Sequence, residues 1–165
     1  LLRAGGISSC AIRLKVYLAL LSEGGVNSCI FCDIVRGVAP AYFVYKSERA
    51  AVFLDKFPVE KGHALIVPAE HYENLLEVPD DVLCELARLV KAVAAAQFEA
   101  LGARGVRVVQ NNGVAAGQVV PHLHFHAIPF YSSSLRGRRP LDPREGEEVS
   151  KLLAEALFQR WSFED

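Results

Sequence analysis

Cysteine is scarce in this chain, and so are long apolar runs and any excess of charge. Four cysteines, Cys10, Cys29, Cys32 and Cys84, spread unevenly over 165 residues, cannot make the disulfide framework of a small secreted domain. A reducing, cytoplasmic setting is therefore expected, with Cys10 and Cys84 as buried or incidental thiols. No stretch reaches the roughly 20 apolar residues that cross a bilayer. The best candidate, Ala11 to Leu21, is broken by Arg13 and Lys15 and reads as a soluble amphipathic segment, so no membrane partner is expected. With 18 basic against 19 acidic residues the net charge is −1, which leaves no basic face for a polynucleotide. A small anion held at a local site stays open. Residues 1–27 read as an N-terminal extension whose boundary the sequence does not fix. Residues 28–165 read as one domain, long enough to bury a core.

There is no internal repeat and no low-complexity linker. Cys29 to Gly37 begins compactly and runs into the break at Pro40. Tyr42–Tyr45 and Ala51–Leu54, parted by the polar turn Ser47-Glu48-Arg49, suit an antiparallel hairpin, and Lys61–Pro68 suits a third strand ended by its proline. From Asp80 or Asp81, residues of good N-cap type, Val82, Leu86, Leu89, Val93, Ala96 and Ala100 recur at helical spacing up to the stop at Gly102. Val106–Gln110 and His122–Ile128 are two more strands, and a C-terminal helix is expected from about Pro143 to Trp161. Hairpin strands around one long helix predict an α+β fold, an antiparallel sheet of about five strands with its helices on one side.

What the chain does have is a row of histidines. In Pro121-His-Leu-His-Phe-His-Ala-Ile-Pro129, three of its five histidines alternate with apolar residues. On a strand His122, His124 and His126 stand on one face while Leu123, Phe125 and Ala127 pack behind them. Heads about 7 Å apart can touch one metal ion, one phosphate chain, or one of each. The row is fed by the loop Asn111–Gln118, whose Gly113 and Gly117 allow positive φ and close backbone approach. Its N–H groups and the amides of Asn111, Asn112 and Gln118 could cradle an anion. Cys29-x-x-Cys32, taken alone, is a redox pair or half of a zinc site.

The pattern Asn111-x-Gly113-x-x-x-Gly117-Gln118-x-x-x-His122-x-His124-x-His126 with Ile128-Pro129 resembles the signature of the histidine-triad (HIT) nucleotide hydrolases and transferases. The likeness extends through Cys29-Ile-Phe-Cys32, Phe53-Leu54-Asp55 and Gly62-His63 to Ile66-Val67-Pro68-Ala69-Glu70-His71, about residues 29–130. It implies a homodimer and a nucleotide, by the family's commonest choice an adenine one, bound with its α-phosphate at the row. His124 would be the nucleophile, His126 would bind phosphate and assist the leaving group, and His63 would complete the cluster. Asp55 would take the ribose hydroxyls and Leu54 the base, with Asn111, Gly117 and Gln118 along the phosphates. In the zinc-bearing branch the positions matching Cys29, Cys32, His71 and His122 hold a structural zinc, since a closed four-ligand set leaves no position for substrate. Val119 stands where a hydroxyl residue often meets the α-phosphate, so the backbone must do more there. Phe130 stands where a basic residue often follows the proline. Arg136, Arg138 and Arg139 lie beyond the motif and read as a solvated basic run.

The chemistry expected is hydrolysis or nucleotidyl transfer at a nucleoside 5′-phosphoryl group, such as a phosphoramidate or a dinucleoside polyphosphate, through a nucleotidyl-histidine intermediate. A neutral imidazole is a competent nucleophile near neutral pH if its other nitrogen donates to an acceptor that fixes the tautomer. Two rivals stand beside it. A metallohydrolase with His122, His124 and His126 on one open zinc would need a carboxylate base nearby, and neither loop nor row supplies one. A nucleotide-binding regulatory protein with vestigial activity sits poorly with the presence of both His124 and His63.

Overall fold

The computed structural model describes residues 29–132 and 135–161. The extension at 1–27, with Cys10 and the Ala11–Leu21 segment, lies outside the described residues. The strands are β1 (Phe43–Lys46), β2 (Ala50–Leu54), β3 (Ala64–Pro68), β4 (Gly105–Gln110) and β5 (Phe125–Phe130), and the helices α1 (Ile30–Arg36), α2 (Asp80–Leu101) and α3 (Pro143–Trp161). The strands form one sheet in the order β1-β2-β3-β5-β4, antiparallel at every junction. This is the expected α+β architecture, and α3 covers the span read from its sequence.

Alternation along the strands sorts the side chains between two cores. Val52, Leu54, Ala64, Ile66, Leu123 and Ala127 face α2 and α3, where they meet Leu86, Leu89, Val93, Val149, Leu153 and Leu157. Ala51, Phe53, Leu65 and Val67 face the other way, onto Phe31, Ile34 and Val35 of α1. Sequence reasoning saw only a compact start in that segment. It is a two-turn helix closed by Gly37 at φ 78°, whose N–H reaches back to the Asp33 and Ile34 carbonyls.

Two boundaries differ from expectation. The N-cap of α2 is Pro79, with no side-chain cap. Asp80 and Asp81 fall in the first turn, where their charge suits the helix dipole and Asp81 pairs with Arg49 at 2.7 Å. The second difference is that β5 begins at Phe125, not at His122. Its pairing with β3 ends at Ile66↔Phe125, because Pro68 has no N–H to offer the next pair. The Pro68 carbonyl instead accepts from His122 Nε2 at 3.0 Å, and the Leu123 N–H turns to Tyr72 O at 2.7 Å. His122 and His124 therefore sit on an extended lead-in to the strand. The alternation survives, with Leu123 and Ala127 buried on the helix side.

Gln97 joins the helix to the strands that carry the histidines. It is fully buried, and its Nε2 donates at 2.9 Å to both Gly62 O and Ala127 O, one residue from His63 and His126 respectively. Gly62 has φ +87°, and a Cβ there would collide with the Leu101 side chain. In Gln97→Leu both carbonyls lose their donor. Unfolding in urea should show a loss of about 1–3 kcal/mol, together with reduced activity in the protein that remains folded.

Candidate active site and metal centre

Both clusters lie on the α1 side of the sheet. In the first, the His124 ring meets His126 edge-on at 4.9 Å between centroids, and His63 Nε2 lies 2.9 Å from His126 Nδ1. His63, His124 and His122 are buried, His126 half-buried.

The hydrogen-bond partners assign the tautomers. The His122 carbonyl can only accept, so His124 Nδ1, 2.6 Å away, carries the proton and Nε2 keeps its lone pair. The Val59 N–H donates to His63 Nδ1 at 3.3 Å, which puts the His63 proton on Nε2. From there it is donated to His126 Nδ1, leaving the His126 proton on Nε2. The result is a lone pair on one imidazole beside an N–H donor on the next.

Burial dominates the electrostatics. It drives His63 down to about 4 against a partial pull upward from Asp55, with the charges of Arg138 and His124 adding to the fall. It drives His126 to about 4 as well, helped by His124 and His63. His124 is lowered too, again by burial, against its bond to the His122 carbonyl. All three are neutral at pH 7, as nucleophile and neutral donors must be. Because the folded values of His63 and His126 lie below the unfolded value, their contribution to stability is complete above about 6.5. It is lost as pH falls from there through 4. Burial lowers all three imidazoles, so the acid limb of kcat/KM should lie below the ordinary imidazole value of about 6.5. A limb centred near 6.5 in a pH–rate profile would contradict this.

The other expected nucleotide contacts separate into two groups. Asp55 accepts from Phe57 N at 2.8 Å and holds its second oxygen 3.6 Å from His63 Nδ1. Asn111 Nδ2 comes close to Gly117, lying 3.8 Å from where a Cβ there would be, and Gly117 has φ +88°. Val119 is exposed, and its N–H takes no part in the backbone bonds that close the loop. The Gly117 N–H is spent on Val114 O at 2.9 Å, which leaves Asp55, Asn111 and the Val119 N–H as the groups open to a ligand among the described residues.

Leu54 and Gln118 do not fit their expected roles. Leu54 packs in the core under α2 and α3, on the sheet face opposite the histidines, because it shares the alternation phase of Val52. Gln118 is buried with its amide engaged as a loop staple. Its Oε1 accepts from Gly113 N at 2.7 Å, and its Nε2 donates to Glu73 O at 2.6 Å and Val120 O at 3.1 Å. Asn112 is likewise tied to Gln110 and Leu75. The N–H groups of Gly113, Ala116, Gly117 and Gln118 bond within the loop, so the expected cradle shrinks towards Val119.

Sequence reasoning missed the apolar wall. Phe31 stands edge-on to His124 at 5.1 Å and to Phe53 at 5.5 Å, with Ile34 in the same cluster. The signal was present in Phe53, which precedes Leu54 and has the opposite phase on the strand.

The second cluster is the Cys/His set. Ligand atoms of Cys29, Cys32, His71 and His122 lie within 4.8 Å of one another. His122 Nδ1 is 3.4 Å from Cys29 Sγ and 3.5 Å from Cys32 Sγ, and His71 Nδ1 is 3.4 Å from Cys32 Sγ. Tetrahedral zinc with bonds of about 2.0–2.3 Å puts its ligand atoms roughly 3.3–3.8 Å apart, so the donor set fits that ion. His122 gives its Nε2 proton to Pro68 O, which turns the Nδ1 lone pair to the cysteines, the outer bond metal-binding histidines need. Burial, with Cys29 beside it, pushes the Cys32 thiol up to about 11, the reverse of the lowered thiol of a redox pair. Cys84, in contrast, is exposed on α2.

The three rings of the row thus have three different partners: His122 the cysteines, His124 a backbone carbonyl and His126 His63. Asp55, His63 and His126 also bring ligand atoms within 4.8 Å, but both His63 nitrogens are already engaged.

A histidine cluster at the head of two neighbouring strands, beside a Cys/His set, defines a class, and comparison with known proteins gives the same one. Residues 36–133 match the model of the HIT domain. An uncharacterized HIT-like protein of Saccharolobus solfataricus is 43% identical over 135 residues, 78% of this chain and 97% of that protein. The adenosine 5′-monophosphoramidase of Schizosaccharomyces pombe is 42% identical, covering 74% and 96%. The adenylylsulfatase of Arabidopsis thaliana is 39% identical, covering 62% of this chain and 52% of that one. Among solved structures, a histidine triad nucleotide-binding protein of Sulfolobus tokodaii superposes with TM-score 0.76 at 38% identity over 79% and 93% of the two chains. A zinc-bound histidine triad family protein of Mycobacterium smegmatis gives 0.74 at 37% over 83% and 98%. The chain belongs to the HIT family.

Proposed function

We propose that the chain is a nucleotide hydrolase or nucleotidyl transferase acting at the α-phosphate of an adenosine 5′-phosphoryl substrate. The observation that carries this reading is the tautomer chain, in which His124 Nε2 keeps a lone pair while its Nδ1 proton is fixed on the His122 carbonyl at 2.6 Å. Relatives named as a monophosphoramidase and an adenylylsulfatase support the substrate class. His124 Nε2 attacks phosphorus, a P–N bond forms, and the bond to the leaving group breaks in line. The His126 Nε2–H meets the phosphoryl oxygen or the departing atom, and His63 holds His126 in the tautomer that can do so. Water then cleaves the P–N bond, giving the nucleoside monophosphate and restoring His124. Asp55 takes the ribose hydroxyls, the Val119 N–H and Asn111 meet the phosphate, and Phe31, Ile34 and Phe53 offer an apolar wall to the base. A substrate panel of phosphoramidates, adenylyl sulfate and dinucleoside polyphosphates, scored by kcat/KM, tests the reading; no turnover of any would overturn it.

Zinc at Cys29, Cys32, His71 and His122 supplies cross-linking between α1, the segment after β3 and the lead-in to β5, with no position left for substrate. The domain at 28–165 acts as a two-fold dimer. Among the described residues its β4 edge is unpaired on one side, and Phe98 of α2 and Val108 of β4 are each about half exposed. An isologous contact covers an open edge and an apolar helix face together. Light scattering at micromolar concentration should give twice the chain mass, and a monomer mass would refute the assembly. A cytoplasmic setting belongs to the same reading, as the two thiols must stay reduced.

A further inference from the structure

The segment after β5 contains three arginines, and two of them are committed. Arg136 Nε pairs at 3.0 Å with Glu60, a buried carboxylate, and its backbone N–H reaches the same group at 3.3 Å. Arg139 makes two bonds to Glu145 of α3, at 3.0 and 3.1 Å. From Gly137 to Leu141 the backbone is laid along the loop that follows Asp55: Gly137 N bonds Val59 O at 3.1 Å, Arg139 N bonds Pro58 O at 3.4 Å and Leu141 N bonds Lys56 O at 2.9 Å. Val59 is the residue whose N–H fixes the His63 tautomer. The segment is therefore anchored against the wall of the histidine cluster, with Gly137 at φ +84° making the turn into it.

Arg138 lies between the two anchored arginines. Its backbone is pinned beside Pro58 and Val59 by the N–H groups of Gly137 and Arg139, while Glu145 draws both neighbouring arginines, at 3.6 Å from Arg136 and 3.0 Å from Arg139. Arg138 is exposed and has no ion pair or side-chain hydrogen bond among the described residues. Its charge reaches both His63 and His126. A cation whose backbone is pinned beside the loop that orients His63, with no carboxylate partner among the described residues, is suited to an anion.

We propose that Arg138 binds the negatively charged group that departs from the α-phosphate, so that the chain favours anionic leaving groups, a sulfate or a phosphate chain, over a neutral amine. The proposal rests on the reading above that the cluster acts at an α-phosphate. Arg138 neutralises charge that builds on the departing oxyanion during in-line displacement, a contact an amine cannot use. Arg136 and Arg139 hold the segment in place.

The test compares wild type, Arg138→Ala and Arg138→Lys on adenosine 5′-phosphosulfate, diadenosine tetraphosphate and adenosine 5′-phosphoramidate. In Arg138→Ala, kcat/KM for the two anionic leaving groups should fall at least about tenfold further than for the phosphoramidate, with partial recovery in Arg138→Lys. A greater loss with the phosphosulfate marks a compact oxyanion as the preferred group, and a greater loss with the tetraphosphate marks a chain. An equal loss on all three substrates, or none, overturns the proposal while leaving the α-phosphate reading intact. A wild type inactive on all three overturns both.

Discussion

A His124→Ala variant is expected to fold and bind an adenine nucleotide while losing turnover by at least about 10⁴-fold. The size of the effect follows from the proposed role, in which the residue forms the bond to phosphorus and its neighbours only orient or donate. Binding persists because Asp55, the loop backbone and the Phe31 wall do not depend on it. His126→Ala should be less severe, perturbing proton placement yet leaving the lone pair of His124. Stopped assays with purified variants, paired with equilibrium nucleotide binding, check both halves. A His124→Ala enzyme of full activity would overturn the mechanism and bring back chemistry at a metal-bound water.

Stability should depend just as strongly on the Cys/His set. Zinc bound by four protein ligands contributes folding free energy outright, and the four candidate ligands here come from three segments far apart in sequence. Removing the ion with a strong chelator, or replacing Cys29 by Ser, is expected to lower Tm by more than about 10 °C. Any protein still folded should keep most of its chemistry, because His124, His126 and His63 take no part in the set. Elemental analysis of freshly purified, unchelated protein should find one zinc per chain. A metal-free preparation with unchanged Tm would refute the structural role.

What could be read in advance, and what could not, divides along the range of the interactions. The histidine alternation, the 80–101 helix and the C-terminal helix are local patterns, and each is present. The start of β5 could not be read, because it depends on Pro68, more than fifty residues away, lacking an N–H and lending its carbonyl to His122. The same limit explains Leu54 and Gln118. Motif position brought both near the site, but strand phase turns the one into the helix-side core, and loop closure consumes the amide of the other. Arg138 looked like part of a solvated run because nothing local says that Glu60 and Glu145 hold its neighbours. Nothing in the local sequence marks Gln97, and only the packing of α2 over Gly62 and β5 gives its amide two carbonyls to hold.

The central claim is that His124 carries the nucleotide. Mixing the protein with adenosine 5′-phosphosulfate or a phosphoramidate, quenching within milliseconds under alkaline conditions that spare the P–N bond, and mapping peptides by mass spectrometry tests it directly. The account predicts an adenylyl group on the peptide containing His124, absent from His124→Ala. An unmodified His124 during a burst of product release would contradict it.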